Sequence, residues 1–427
     1  MKIDTLKKLL QASEADAWEI HTTITKGWEF YFIRHELDQN RIRSVSHTHV
    51  TVYRNLENDM MGKATAEFYP TETDADCRKK LDTLLERAVY SRSHVYSLVT
   101  EEEVSSFAPK EQAFSLADTS EAFMKTLGEL DETKTHDVNS YEIFVNDQKI
   151  RYINSNGVDM EEAVPDCFLE VILDARDDSH EIELYRSCHS GSCDSEYLKV
   201  ELNQALKAAE DRLHTSGTPS LGKAPVLFST ADALAVYSFF KNGLLAEAVY
   251  NHVSPFKLNQ AITEAETGDK ITLSAHRYLP NSSQNHLFDH DGCLIRDTVM
   301  MKDNVPVHWE GRRQYAQYLN LEDSFEPGNY EVSGGTKSCK ELREQDYLEP
   351  IEFSDFQVDR AGNLFGEIRL AYWHHDGEIT PVSGGSVSGN VMKLMGGFHM
   401  SKEQKQYDHA LIPAVTLIDD VTITGVK

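Results

Sequence analysis

The chain is short of positive charge. Its 42 Lys and Arg residues stand against 70 Asp and Glu, a net charge of −28 over 427 residues. A field of that sign repels a phosphate backbone, so direct DNA or RNA binding is not expected. Anionic membrane surfaces are disfavoured for the same reason, and the Lys and Arg residues form no run that would mark a local basic groove. Long apolar runs are missing too. No window approaches the roughly 18 apolar residues of a spanning helix, so no transmembrane segment is expected. The opening MKIDTLKKLLQASEADAW carries no secretory hydrophobic region; Ile3, Leu6, Leu9 and Leu10 instead make one face of an amphipathic helix. Cysteine is sparse, six in all and scattered. That argues against a disulfide framework and for a cytoplasmic protein with reduced thiols. Internal repeats and low-complexity segments are also absent.

What is present is ordinary globular material, 40 % hydrophobic and 26 % charged, in a chain long enough for two or three domains. Residues 2–17 predict a helix. Alternation over 18–55 and 63–68 predicts three or four antiparallel strands, with turns at Lys26-Gly27 and at Asn58-Asp59 and Gly62. A helix is expected over 73–92, a surface loop over 101–115, and a helix over 120–132 capped by Ser120. Strands are expected over 141–145 and 150–154 with a turn at Asn146-Asp147, a tight turn at Asn156-Gly157, then strands over 170–174 and 181–185. After a helix over 197–215, the segment SGTPSLG at 216–222 is the clearest linker. The reading is therefore α+β with two domains: a mixed N-terminal domain over 1–215, built on an antiparallel sheet, and a β-rich C-terminal domain over 223–427. A short helix over 388–395 and strands over 414–418 and 421–423 close the chain.

The stretch that organises the C-terminal part is 225–256. Pro225 to Phe228 reads as a strand, Ser229, Thr230 and Asp232 as a capping-box-like start, and 231–251 as a sparsely charged helix. Its apolar positions are Ala231, Leu234, Ala235, Phe239, Leu245, Ala248 and Val249, and Pro255 ends it.

Several segments in order carry a resemblance: Ile153-Asn154-Ser155-Asn156-Gly157, Phe288-Asp289-His290-Asp291-Gly292, Gly328-Asn329-Tyr330, Gly362-Asn363-Leu364-Phe365-Gly366, the run Pro381 to Asn390, and Pro413 to Asp419. Together they resemble the TldD/PmbA family, whose PmbA members are also called TldE. The resemblance implies a metallopeptidase-related protein of proteolysis or peptide maturation. In TldD-type members the helix matching 231–251 carries His-Glu-x-x-x-His, and a cysteine near the C-terminus adds a ligand. Zinc needs such donors and a carboxylate base beside its bound water. Counted back from Ser254-Pro255-Phe256, that motif falls on Tyr237, Ser238 and Asn242. No histidine occurs in 225–251 and no cysteine follows Cys339. The chain therefore resembles the PmbA/TldE branch. The expectation is a non-catalytic subunit with no cofactor of its own, acting on peptides as a homodimer or with a TldD-like subunit that holds the zinc. The family is also named for modulation of DNA gyrase; at net charge −28 any such effect is expected to be indirect.

Other groupings leave alternatives open. Cys188, His189 and Cys193 could give a metal two or three ligands, fewer than a structural site uses; a loop of free thiols and a local disulfide are the other readings. They are also the residues of the alternative function, a stand-alone peptidase with a divergent metal site. A non-enzymatic binding protein using its acidic β-rich half is the third reading. His35-Glu36 lacks helical metal spacing and reads as a surface strand; His286 and His290, at i and i+4, would share a face only on a helix, but Asp289 to Gly292 reads as a turn, so they and His374-His375-Asp376 read as turn and surface histidines. Ser386 and Ser388 miss the G-x-S-x-G spacing of a serine nucleophile, and Gly384-Gly385 reads as a turn without the lysine of a phosphate loop.

Overall fold

The protein is described by a computed structural model in which residues 3–109, 114–265 and 267–426 are placed. Residues 110–113 of the expected 101–115 loop, and Lys2 of the first helix, lie outside the described residues.

The N-terminal half runs α1 (Ile3–Gln11), β1 (Ala17–Ile33), β2 (Glu36–Leu56), β3 (Met60–Glu67), α2 (Asp74–Ala88), β4 (Arg92–His94), α3 (Leu116–Leu127), β5 (His136–Asn154), β6 (Asp159–Arg176), β7 (Glu181–Ser190) and α4 (Ser195–Leu213). Its strands form one antiparallel sheet in the order β4-β3-β2-β1-β5-β6-β7. Two apolar clusters hold helices to it. Leu6 and Leu10 of α1 and Leu81, Leu84 and Leu85 of α2 pack on Trp18, Ile20, Val50 and Val52. Phe123 and Leu127 of α3 and Leu198, Leu202 and Leu206 of α4 pack on Ile143, Val145, Leu169 and Val171.

Several boundaries differ from the sequence reading. Lys26-Gly27 and Asn146-Asp147 are not turns; both lie inside long strands and face each other, Lys26 opposite Asp147 and Gly27 opposite Asn146. A Cβ on Gly27 would sit 2.3 Å from Asn146 Oδ1, so the glycine is there for a close strand approach. The real turn is at Arg34-His35, where Arg34 has φ 54°. Helix α3 is capped by Ser115, and Ser120 is buried inside it. The Asn58-Asp59 and Asn156-Gly157 turns are present, with positive φ at Asn58, Asp59 and Gly157. Helix α2 begins after Thr73, whose hydroxyl and Asp76 form a reciprocal capping box.

The C-terminal half continues β8 (Ser216–Gly217), β9 (Gly222–Phe228), α5 (Ala233–Gly243), α6 (Ala246–Tyr250), β10 (Leu273–His276), β11 (Thr298–Lys302), β12 (Val305–Pro306), α7 (Arg313–Tyr318), β13 (Asn329–Val332) and α8 (Cys339–Leu342). It ends with β14 (Tyr347–Val358), β15 (Asn363–His375), β16 (Glu378–Ser383), β17 (Ser386–Asn390), α9 (Val391–Leu394), β18 (Phe398–Met400), β19 (Gln404–Tyr407), β20 (Ala410–Pro413) and β21 (Thr416–Thr424). One sheet has the order β12-β11-β10-β13-β20-β19; the other is β14-β9-β21-β17-β15-β16-β8. Because β14 also pairs with β15, strands β14, β9, β21, β17 and β15 close on themselves. The linker segment thus contributes β8 to a sheet edge against β16. Ser388 belongs to β17, and the expected helix shrinks to α9 with a 3-10 turn over Met395–Gly397. The last two expected strands are one, with an irregularity between Ile418 and Val421 where Asp420 has φ 59°.

The organising helix is broken in two between α5 and α6. Ala233, Val236, Tyr237, Phe239, Phe240 and Gly243 face the core, with Phe239 and Phe240 against Phe256. Ala231 is exposed and Leu234 and Ala235 are only half-buried, so the apolar face is rotated from the one read in sequence.

Candidate functional site

A cavity of about 1080 Å³ opens between the halves at the start of α5. Its walls come from β6 and β7 (Leu169, Arg186, Cys188), α4 (Leu198, Glu201), the α5 entry (Ser229 to Asp232) and the β14–β15 ladder (Glu349, His374). The expected capping box is not made, because Ser229 turns its hydroxyl to Glu349 Oε1, 2.7 Å away. Thr230 instead donates to Asp232, at 3.1 Å.

Glu349 is the best-held acid in this wall. Arg343 meets it with two nitrogens at 2.7 Å each, and His374 Nε2 lies at 3.1 Å. Burial raises its carboxyl, but the His374 and Arg343 hydrogen bonds, the Arg343 charge and the Ser229 hydroxyl outweigh it and hold it at about 2. The other cations here are paired as well: Arg186 with Glu352, and Lys405 with Glu201 at 2.6 Å. Burial lowers Arg186 to about 10.

A second cluster joins the N-terminal sheet to the segment 286–318. Tyr53 donates to Glu19 at 2.7 Å and Tyr152 does so at 3.2 Å. The His21 ring stacks on His290 with centroids 4.2 Å apart. Asp291 takes Arg312 at 3.1 Å and the Arg313 amide at 2.9 Å. Burial, with Asp291 adding to it, lifts Glu19 to about 7; burial and His290 push His21 down to about 3. Asp289 is likewise raised by burial and Asp291, to about 7, while it accepts amides of Asp291, Cys293 and Glu326. Gly292 closes the turn with φ 79°, and a Cβ there would lie 2.4 Å from the Tyr152 ring. The sequence signal for this cluster was the Phe288–Gly292 turn; Glu19 and His21 gave none, lying in an ordinary alternating strand.

The positions singled out on the helix do not line the cavity. Tyr237 is fully buried and its hydroxyl is 2.6 Å from Thr416 Oγ1. Ser238 is half-buried and Asn242 is exposed. A buried phenol raised by its surroundings, a hydroxyl and an amide do not fit zinc, which takes thiolate, imidazole and carboxylate.

Cys188, His189 and Cys193 are not gathered into one set of donors. The His189 ring stacks on Phe168 at 4.3 Å; Cys193 Sγ lies 3.7 Å from Ser195 Oγ and 3.8 Å from Thr126 Oγ1. All the cysteines are free, and burial pushes the Cys188 thiol up to about 12, away from the thiolate a metal needs. Among the described residues, the one three-donor group close enough for a metal is Asp346, His375 and Asp376, fully on the surface. His35 bonds Glu132, and His286 bonds Glu162, each at 2.9 Å. No helix among the described residues is long and apolar enough to cross a membrane.

Residues 221–425 match the PmbA/TldA metallopeptidase C-terminal domain family. In sequence, no curated protein matches the chain. Its fold is similar along the whole length to TldE from Thermococcus kodakarensis, with TM-score 0.76, 15 % identity, and 99 % of this chain and 100 % of that one covered. A candidate modulator of a DNA gyrase from Thermotoga maritima MSB8 gives TM-score 0.76, 17 % identity and 99 % coverage of both chains. A like-named protein from Bacteroides thetaiotaomicron VPI-5482 gives 0.76 and 14 %, covering 99 % of this chain and 98 % of that one. Residues 221–425 thus carry the PmbA/TldA metallopeptidase C-terminal domain, and over its whole length the chain shares the fold of these TldE and gyrase-modulator structures.

Proposed function

We propose that this chain is the zinc-free, PmbA/TldE-like subunit of a peptide-processing complex, with hydrolysis carried out by a TldD-like partner. One observation carries the reading. Where the family's peptidases need two imidazoles and a carboxylate, α5 offers Tyr237, Ser238 and Asn242, with Tyr237 committed to the core through Thr416. The cavity of about 1080 Å³ beside the helix start, largely apolar with polar groups fixed at its walls, has room for a ligand such as a peptide. In this role the chain would hold or present the peptide and shape the partner's site, in the cytoplasm and without contacting nucleic acid.

The test is metal analysis of the purified chain with a peptidase assay, alone and mixed with a TldD-type protein. The expected result is zinc far below one equivalent, no hydrolysis alone, and hydrolysis in the mixture that depends on this chain. Stoichiometric zinc together with peptidase activity of the chain alone would overturn the proposal.

A further inference from the structure

Lys241 differs from the cations that line the cavity. Arg186, Arg343 and Lys405 each have a carboxylate partner. Among the described residues no carboxylate oxygen comes within ion-pair distance of the Lys241 ammonium, which lies over the Tyr330 ring, 5.3 Å from its centroid. Burial lowers its proton affinity, and Glu326 offsets this only from a distance. The end of α5 supplies a weak compensating negative potential.

Two hydroxyls stand beside it. Ser238 is one helical turn back on α5. Tyr330 of β13 is 1 % exposed, and its hydroxyl has no partner in hydrogen-bond geometry among the described residues. Burial raises that phenol above its ordinary 10, and Ser238 beside it offsets this only in part without completing a hydrogen bond. A buried donor left unmet costs free energy, and so does a half-buried ammonium without a counter-ion. Ser238 and Lys241 both keep partial exposure, so a ligand can reach them.

We propose that Lys241 and Ser238 form a carboxylate-binding site that takes the C-terminal carboxylate of a peptide, with the buried Tyr330 beneath them as a positioning residue. One cation with a hydroxyl donor beside it matches a singly charged, planar acid. On a chain of net charge −28, a cation with no internal carboxylate partner is a favoured place for an anion. The peptide identity of the ligand rests on the function proposed above.

The experiment is calorimetric titration of the full-length chain, alone and with a TldD-type partner, using N-acetyl-trialanine as the free acid and as the amide. The acid should bind at least about tenfold more tightly than the amide, the usual effect of one charge-assisted contact. Lys241→Met should bring the acid down to the level of the amide, and Tyr330→Phe and Ser238→Ala should each weaken the acid alone by a few-fold. Circular dichroism confirms folding of each variant, and the two milder variants decide the matter if Lys241→Met fails to fold. Acid and amide binding alike would overturn the carboxylate site and leave peptide handling standing. An acid preference that survives all three substitutions would also overturn it. Binding of neither peptide, with or without the partner, would remove both proposals.

Discussion

Glu19 and Glu349 are equally hidden, 6 % and 5 % exposed, and both sit where the two halves of the chain meet. Burial raises both carboxyls. Glu349 faces a guanidinium, an imidazole and a hydroxyl and is held at about 2. Glu19 faces two phenols, with Lys63 farther off and Asp291 opposing, and stays at about 7. Depth of burial therefore does not decide the state of an acid here; the charge of its hydrogen-bond partners does. The Glu349 wall is a closed set of ion pairs around a cavity. The Glu19 cluster is a contact between halves whose acid keeps its proton up to about 7, with His21 Nε2 and Arg312 Nε making no hydrogen bond among the described residues.

The largest effect should come from breaking the paired side. Arg343→Met leaves the Glu349 charge buried with only His374 and Ser229, and should cost about 3–5 kcal/mol at pH 7, read from the urea midpoint. A loss under about 1 kcal/mol would mean that the pair is not what holds this acid. The proton balance gives the same contrast. Glu349 is held below the ordinary 4.5, so its contribution, about 3 kcal/mol, is complete above that pH and disappears as pH falls toward 2. The variant should lose this steep acid limb.

The opposite slope is expected at Glu19. Its folded carboxyl keeps a proton to about 7, whereas the unfolded chain releases it near 4.5. The folded state binds more protons in that window, so stability falls as pH rises through it. Glu19→Gln has no proton to lose and keeps an oxygen for Tyr53. The stability difference, variant minus wild type, should grow by about 2–3 kcal/mol between pH 4.5 and pH 7.5. His21, held at about 3 against an ordinary 6.5, works the other way, since stability gained from its neutral form is lost as pH falls through that range. It is present in both chains and largely cancels in the difference. A difference that does not change with pH would place Glu19 with Glu349.

The same contrast shows what could be read from sequence. Alternation and apolar spacing were enough for the antiparallel N-terminal sheet, for α2 and α4, and for a strand-rich C-terminal half, because those signals are local. Two turn signals failed for one non-local reason: Gly27 and Asn146 face each other across β1 and β5, where a small residue lets the strands approach. The capping box at Ser229 failed because the hydroxyl found a stronger acceptor 120 residues away in Glu349. Neither Glu19 nor Lys241 carries a sequence signal, since what singles each out is the set of groups that folding brings to it or keeps from it. The resemblance singled out Tyr237, Ser238 and Asn242, but it carried nothing about the burial of Tyr237 or the neighbours of Ser238.

Tyr237 gives the smallest effect and a control for the other two. Its hydroxyl shares a buried hydrogen bond of 2.6 Å with Thr416. Tyr237→Phe keeps the ring among its neighbours and leaves the Thr416 hydroxyl unmet, which should cost about 1–2 kcal/mol. Burial raises the phenol above its ordinary 10, so it stays neutral through the working range. The loss should therefore be flat from pH 5 to pH 9, where the Glu19→Gln difference changes. A loss that varied with pH would couple Tyr237 to a titrating neighbour and make it more than a core residue. A flat loss, with unchanged peptide binding, assigns Tyr237 to the core and leaves ligand contact on α5 to Ser238 and Lys241.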